Sequence, residues 1–166
     1  KAKENTGNLL LALSEEEPVR PLLQFAKDSS GLYKAIAKIN AGHHLAEDSK
    51  HQEALTQFET LKNQKSIPRD FSDYAELNRV YLNIQQGKTM EGDFNFLETL
   101  MENKTSPWRF HARVAAAIVV GDVNGEPDQA AKLLEPLTSA SAEIPESLKR
   151  RARSLHHVYS ILGPKN

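Results

Sequence analysis

The chain has 166 residues, a formal net charge of −1, 26% charged residues, 39% apolar residues and no cysteine. This profile is typical of a folded globular domain. It argues against a disordered protein and against one that binds nucleic acid through a large positive charge. Without cysteine, disulfides, thiol catalysis and cysteine-ligated zinc are excluded. The longest apolar run, 114–120, is much shorter than a membrane span requires.

Helical patterning interrupted by turn residues predicts nine helices and no strand. The first hairpin occupies residues 1–30, and Pro18 opens its second helix after an acidic run. Gly87 is expected to end the fifth helix in a left-handed conformation. Later helix starts carry proline, in one case after serine: Pro68, Ser106 with Pro107, Pro127 and Pro145. The predicted helices cover about 2–13, 18–28, 32–46, 51–63, 69–86, 92–102, 107–120, 127–137 and 145–162.

One pattern recurs about every 38 residues, namely a proline, a large apolar residue three positions later and a helical run. Tyr33, Phe71, Phe110 and Leu148 occupy the apolar position, at steps of 38, 39 and 38 residues. A period of this size predicts stacked helical hairpins. We therefore expect a single all-α domain over 1–166. It would be a right-handed α-solenoid of tetratricopeptide-like helix–turn–helix hairpins, with a terminal capping helix at 145–162.

The repeated segments resemble the divergent tetratricopeptide-like domain of bacterial membrane-anchored envelope proteins, a family that includes the ancillary subunit of the Sec translocon. The resemblance covers most of the chain, best from Tyr33 to the end, and the segments that carry it are Ile67–Phe71, Tyr74–Leu77, Pro107–Arg113, Pro127–Leu137, Ile144-Pro145 and Arg150–Ala152. It implies an inner-membrane protein with one N-terminal transmembrane helix before Lys1 and this domain in the periplasm. A cytoplasmic location is the alternative.

Candidate partner-binding residues lie on the first helices of the hairpins and on the basic last helix. Asn40 and Asn78 are one period apart, and they either donate hydrogen bonds to a bound peptide or serve packing between helices. Residues 141–166 hold five Lys/Arg against two Asp/Glu, which favours an acidic partner, although a solvated capping face explains the same charges. The candidates are Asn40, His44, Asn78, Arg79, Arg109, Arg113, Lys149, Arg150, Arg153 and His157.

Other conspicuous residues favour structural interpretations. His43, Glu47 and His51 would align as metal ligands on one straight helix, but a turn is predicted at 47–50, so no metal site is expected. Trp108 belongs to the repeated pattern and is interpreted as a packing residue rather than a partner anchor. Neither a phosphate-binding glycine loop nor a local catalytic motif is present, and no cofactor is expected.

The leading hypothesis is a non-enzymatic module that binds a protein or peptide along its first helices. The resemblance implies an accessory or chaperone-like role in envelope protein export or assembly. A structural alternative is a homodimer that pairs through Leu9–Leu13 and Leu155–Leu162. A metal-dependent or hydrolytic enzyme is the second alternative, and it predicts a deep polar pocket. Nucleic acid is not an expected partner, because the basic segment is short and has few aromatic residues between its basic ones.

Overall fold

A computed structural model describes residues 2–62, 64–139 and 143–163, and regular structure within these ranges is entirely helical. The described chain forms two compact units, Lys1–Leu82 (the first unit) and Asn83–Asn166 (the second unit). The α-helices are α1 Ala2–Ser14, α2 Val19–Asp28, α3 Gly31–Glu47, α4 His51–Glu59, α5 Arg69–Gln85, α6 Asp93–Glu102, α7 Arg109–Ile118, α8 Pro127–Leu134 and α9 Glu146–Leu162. The all-helical class is confirmed, whereas the solenoid and the single domain remain predictions.

The first unit is built around α3, which packs against α2 on one side and α4 on the other. Gly42 on α3 permits the close approach of α4, because a Cβ at this position would lie 2.6 Å from the Phe58 ring. Buried side chains form two apolar clusters. One contains Leu9, Ala12, Leu22, Ala26, Ala37 and Ala41, and the other contains Ala35, Ile39, Leu45, Ala54, Phe58, Leu61, Ile67, Ala75 and Leu82.

The second unit is built around α7, which packs against α6, α8 and α9. Its core includes a continuous buried run from Val114 to Val120. This run leaves α-helical geometry at a π-helical turn, Val119–Val123, in which the Asn124 N–H donates to the Val119 carbonyl. Gly121 lies in this turn beneath the ring of Tyr159, where an added Cβ would come within 2.5 Å of the ring.

Burial follows the sequence period at the positions seven residues after each proline. Ala75, Val114 and Ala152 are completely buried, and so is Ala37 at the corresponding position of α3. The second helices agree over the offset of 76 residues, since two matching triplets are all at most 1% exposed: Ala54, Phe58, Leu61 and Ala130, Leu134, Leu137. Equivalent sequence positions therefore have equivalent packing within the two units.

Several predicted boundaries were wrong, for local reasons. The seventh helix begins at Arg109 rather than Pro107, because the Ser106 hydroxyl accepts the Trp108 N–H and closes a turn there. The fourth helix ends at Glu59, and Asn63, its predicted end, lies outside the described residues. The eighth α-helix ends at Leu134, and Glu135–Leu137 tighten into a 3₁₀ turn around Pro136. Gly87 has φ +65° after α5, as expected for its left-handed role.

Candidate functional site

A groove of about 670 Å³ in the second unit, named here the α7 groove, is lined by predicted binding residues. It lies between the end of α6, the start of α7 and the segment before α9. Its lining combines apolar and charged side chains: Met101, Glu102, Lys104, Arg109, Phe110, Arg113 and Glu143. Two of the predicted partner-binding residues, Arg109 and Arg113, are therefore brought together in one groove.

Side-chain hydrogen bonds fix the turn that leads into the groove. The Asn103 carboxamide oxygen accepts the Thr105 N–H at 3.1 Å and the Thr105 hydroxyl at 2.7 Å. Ser106 then accepts the Trp108 N–H at 3.2 Å, immediately before α7 begins. Such local bonds stabilise turns at helix starts. The helix that carries both arginines therefore begins at a defined position.

Arg109 is held by several contacts within the groove. Its guanidinium donates to the Glu143 carboxylate at 2.7 Å and to the Lys104 carbonyl, and it lies 4.4 Å above the Phe110 ring centre. The ion pair with Glu143 is largely exposed, so we expect it to contribute no more than about 1 kcal/mol to stability. In the free protein, these contacts orient the Arg109 side chain and already use several of its N–H donors.

Arg113 lies one turn after Arg109 on the same face of α7 and differs from it in having no such partners. Among the residues that the structure describes, the Arg113 side chain makes no ion pair or hydrogen bond. Arg113 is half-buried, and the apolar side chains of Met101 and Phe110 line the same groove. A planar, permanently charged fork beside an apolar surface suits a ligand that carries both a carboxylate and an apolar group.

The first-unit asparagines use their donors within their own helices. The Asn40 amide donates to the Ile36 carbonyl at 2.8 Å, and the Asn78 amide donates to the Tyr74 carbonyl at 2.7 Å. The Asn78 oxygen also lies 3.1 Å from Nε2 of His43. The same bond thus recurs after one period, and of the two roles left open by the sequence this geometry favours packing.

Arg79 is only 4% exposed and faces the interior of the first unit. Its Nε and Nη2 donate to the two carboxylate oxygens of Glu76, and Lys62 donates to the same carboxylate at 2.8 Å. Burial alone would raise the pKa of Glu76, but the hydrogen bonds from Arg79 and Lys62 and their charges hold this pKa below its ordinary value. A structural ion pair is the simpler assignment for Arg79, which was predicted as a binding residue.

The remaining predicted residues lie apart from the α7 groove. His44 lies 3.4 Å from the Glu47 carboxylate in the first unit, beside a separate polar concavity. On α9, Lys149 is 8% exposed and lies 3.4 Å from Glu146, and Arg153 also reaches that carboxylate. Arg150 and His157 are exposed. Part of the basic charge of α9 is therefore used within the second unit.

The sequence did not identify the other groove residues. Phe110, predicted only as the apolar residue of the repeated pattern, is half-buried and lines the groove. Trp108 is also half-buried, with its ring 5.8 Å from that of His111. Burial, and then the charge of Arg151, lower the pKa of His111. A usable signal was the spacing of Arg109 and Arg113 four residues apart, with an aromatic residue between them.

No protein-family model, curated protein or solved structure matches the chain. Within the described ranges, no helix combines the length and apolar character needed to cross a membrane. The described residues likewise hold no group of three histidine or acidic side chains placed to bind a metal ion.

Proposed function

We propose that this chain is a non-enzymatic protein-interaction module that binds a peptide segment of a partner in the α7 groove. The observation that carries the proposal is the half-buried Arg113, whose guanidinium has no partner among the described residues and lines the same groove as Met101 and Phe110. The expected ligand pairs an acidic residue with a neighbouring apolar one. The carboxylate would bind Arg113 in bidentate fashion, and the apolar side chain would cover Phe110.

The finer architecture and the biological setting belong to the same proposal. A right-handed tetratricopeptide-like solenoid is supported by the 38-residue period and by the matching burial of Ala37, Ala75, Val114 and Ala152. An accessory or chaperone-like role beside envelope protein export, with the domain periplasmic, is supported by the sequence resemblance alone.

Selection from a displayed peptide library tests the proposal directly. Wild-type protein should enrich sequences with adjacent acidic and apolar residues, and an individual synthetic peptide from the selection should bind with one-to-one stoichiometry. Arg113→Gln should lower the affinity for that peptide by about tenfold to a hundredfold, because a charge-assisted hydrogen bond contributes about 1.5–3 kcal/mol.

Arg20→Gln is the matched control, since it removes the same charge from an exposed position on α2, outside the groove. This control should change the affinity by less than about twofold, the weak effect expected of an exposed, solvent-screened charge. If both glutamine variants lower the peptide affinity equally, or if no acidic sequence is enriched, the groove is not the binding site.

Self-association is a second candidate function, supported by exposed apolar side chains on the first and last helices. Leu10 and Leu11 are more than 60% exposed on α1, as is Leu162 on α9, where Ile161 is 56% exposed. Sedimentation analysis across a wide concentration range distinguishes this function from peptide binding. A dimer that dissociates when Leu11→Glu and Ile161→Glu are introduced supports it, and a monomer at all concentrations rejects it.

A further inference from the structure

A second concavity, in the first unit, is lined by an unusual set of side chains. It has a volume of about 260 Å³ and lies where α2, α3 and α4 meet. Three of its residues are lysines, none is a carboxylate, and an apolar wall and one amide complete it: Lys27, Lys34, Lys38, Leu23, Ala26 and Gln57. This set is named here the lysine concavity.

The three ammonium groups are not neutralised within the described chain. None of them forms an ion pair with a described carboxylate. Lys34 and Lys38 are four residues apart on α3, a spacing at which like charges destabilise a helix. Burial, followed by the charge of Lys34, lowers the pKa of Lys38, which is the response expected of an uncompensated ammonium cluster.

The Lys38 side chain is held in place despite this repulsion. Its Nζ donates to the Thr60 hydroxyl at 2.7 Å, and that hydroxyl donates in turn to the Gln57 carbonyl at 2.8 Å. An ammonium group has three N–H donors, so the bond to Thr60 leaves two for another acceptor. The concavity therefore presents an oriented cation rather than a freely moving surface lysine.

Helix electrostatics explain only one member of the cluster. Lys27 lies in the last turn of α2, where a cation interacts favourably with the helix dipole. Lys34 lies among the first four residues of α3, where a cation is unfavourable, and α3 has no acidic residue in its first turn to offset it. The convergence of Lys34 and Lys38 with Lys27 thus has an electrostatic cost in the free protein.

We propose that the lysine concavity binds a phosphate-type oxyanion, either free inorganic phosphate or the phosphate of a lipid headgroup. Compact ammonium groups bind phosphate oxygens as point charges. The volume falls below the range of about 300–1,000 Å³ typical of pockets for drug-sized ligands, so a small anion or headgroup fits better. The Gln57 amide supplies a neutral donor, and Leu23 offers an apolar wall to an organic substituent.

This proposal is independent of the α7 groove, because the lysine concavity lies in the other unit and takes a different ligand. Isothermal titration with inorganic phosphate tests it, with ionic strength held constant by chloride. Binding should occur with one-to-one stoichiometry and shift the backbone amide resonances of Lys27, Lys34 and Lys38. Lys34→Gln and Lys38→Gln should each weaken binding by about tenfold or more.

Lys65→Gln is the matched control, because Lys65 is an exposed first-unit lysine outside the concavity. It should leave phosphate affinity within about twofold of wild type, as expected for a screened surface charge. Thr60→Val should weaken binding without removing any charge, since it releases Lys38. Equal losses in Lys34→Gln and Lys65→Gln, or phosphate binding no tighter than chloride binding, would overturn the proposal.

Vesicles identify which source of phosphate is recognised. Protein that sediments with phosphatidylcholine vesicles containing phosphatidate, but not with pure phosphatidylcholine, binds the lipid headgroup, provided that Lys34→Gln abolishes sedimentation. Protein that binds inorganic phosphate in titration and ignores both vesicle types recognises the free anion. Vesicle binding that Lys34→Gln and Lys38→Gln leave unchanged counts against the lysine concavity as a headgroup site.

Discussion

The two units pair their buried charges in different ways. In the first unit, two buried charged side chains, Glu76 and Arg79, form an ion pair with each other. The second unit also buries charged side chains, but Asp93 accepts the Met90 backbone N–H and Lys149 pairs with the exposed Glu146. The arginine on α5 of the first unit is therefore used within the core, whereas Arg109 and Arg113 on α7 of the second unit line an open groove.

Glu76→Ala should lower the free energy of unfolding more than any other substitution considered for this comparison. It leaves the buried Arg79 guanidinium without its carboxylate, and loss of one partner of a buried ion pair costs about 3–5 kcal/mol. Urea unfolding should show this loss, while Glu59→Ala, at an exposed position on α4, should change stability by less than about 0.5 kcal/mol. Glu76→Leu combined with Arg79→Leu should be less destabilising than Glu76→Ala, because no buried charge is left unpaired.

A loss below about 1 kcal/mol for Glu76→Ala would mean that water or another group solvates Arg79. The difference between the two unit interiors would then be smaller than the described contacts indicate.

Glycine-to-alanine substitutions test what the two units share, which is a glycine beneath an aromatic ring. Gly42→Ala and Gly121→Ala place a Cβ within 2.6 Å of Phe58 and 2.5 Å of Tyr159, so each should destabilise the protein by about 1–3 kcal/mol. Gly7→Ala is the control, since α1 leaves open space around this glycine. It should stabilise the protein by about 0.5–1 kcal/mol in thermal unfolding. If all three substitutions change the stability in the same direction, the close approach of the rings to Gly42 and Gly121 is not what limits these positions.

Acid should produce the smallest effect on this comparison, through the Glu76 carboxylate of the first unit. The folded-state pKa of Glu76 is lowered from 4.5, so the stability that its ionisation contributes is present above this value and is lost as the pH falls through the folded-state pKa. The difference in unfolding free energy between wild type and Glu76→Gln should therefore narrow as the pH falls from neutral to below 4.5. A difference that stays constant over this range would show that the carboxylate charge is not involved.

The sequence predicted the helices because helical patterning follows from local periodicity. Ala75 and Val114 occupy equivalent positions of the repeated pattern, and both are completely buried. The π-helical turn at Val119–Val123 was not predicted, since Gly121 contacts a ring that lies 38 residues away in the chain. Long-range packing of this kind leaves no local signal.

The candidate sites were predicted only in part, for the same physical reason. Arg109 and Arg113 share a helix face, so their spacing already indicated one surface. The lysine concavity was missed because Lys27 lies on a different helix from Lys34 and Lys38, and only the packing of α2 on α3 brings them together. For Arg79 a local signal existed, because Glu76 lies three residues before it, one helical turn away.

Mapping a bound peptide by nuclear magnetic resonance tests the central claim most directly. A peptide selected by the wild-type protein should shift the backbone amides of Met101, Lys104, Phe110 and Arg113, and a spin label on the peptide should broaden the same resonances. These four residues line the α7 groove from two helices and the turn between them. Shifts confined to the first unit or to α9, with these four amides unaffected, would contradict the account.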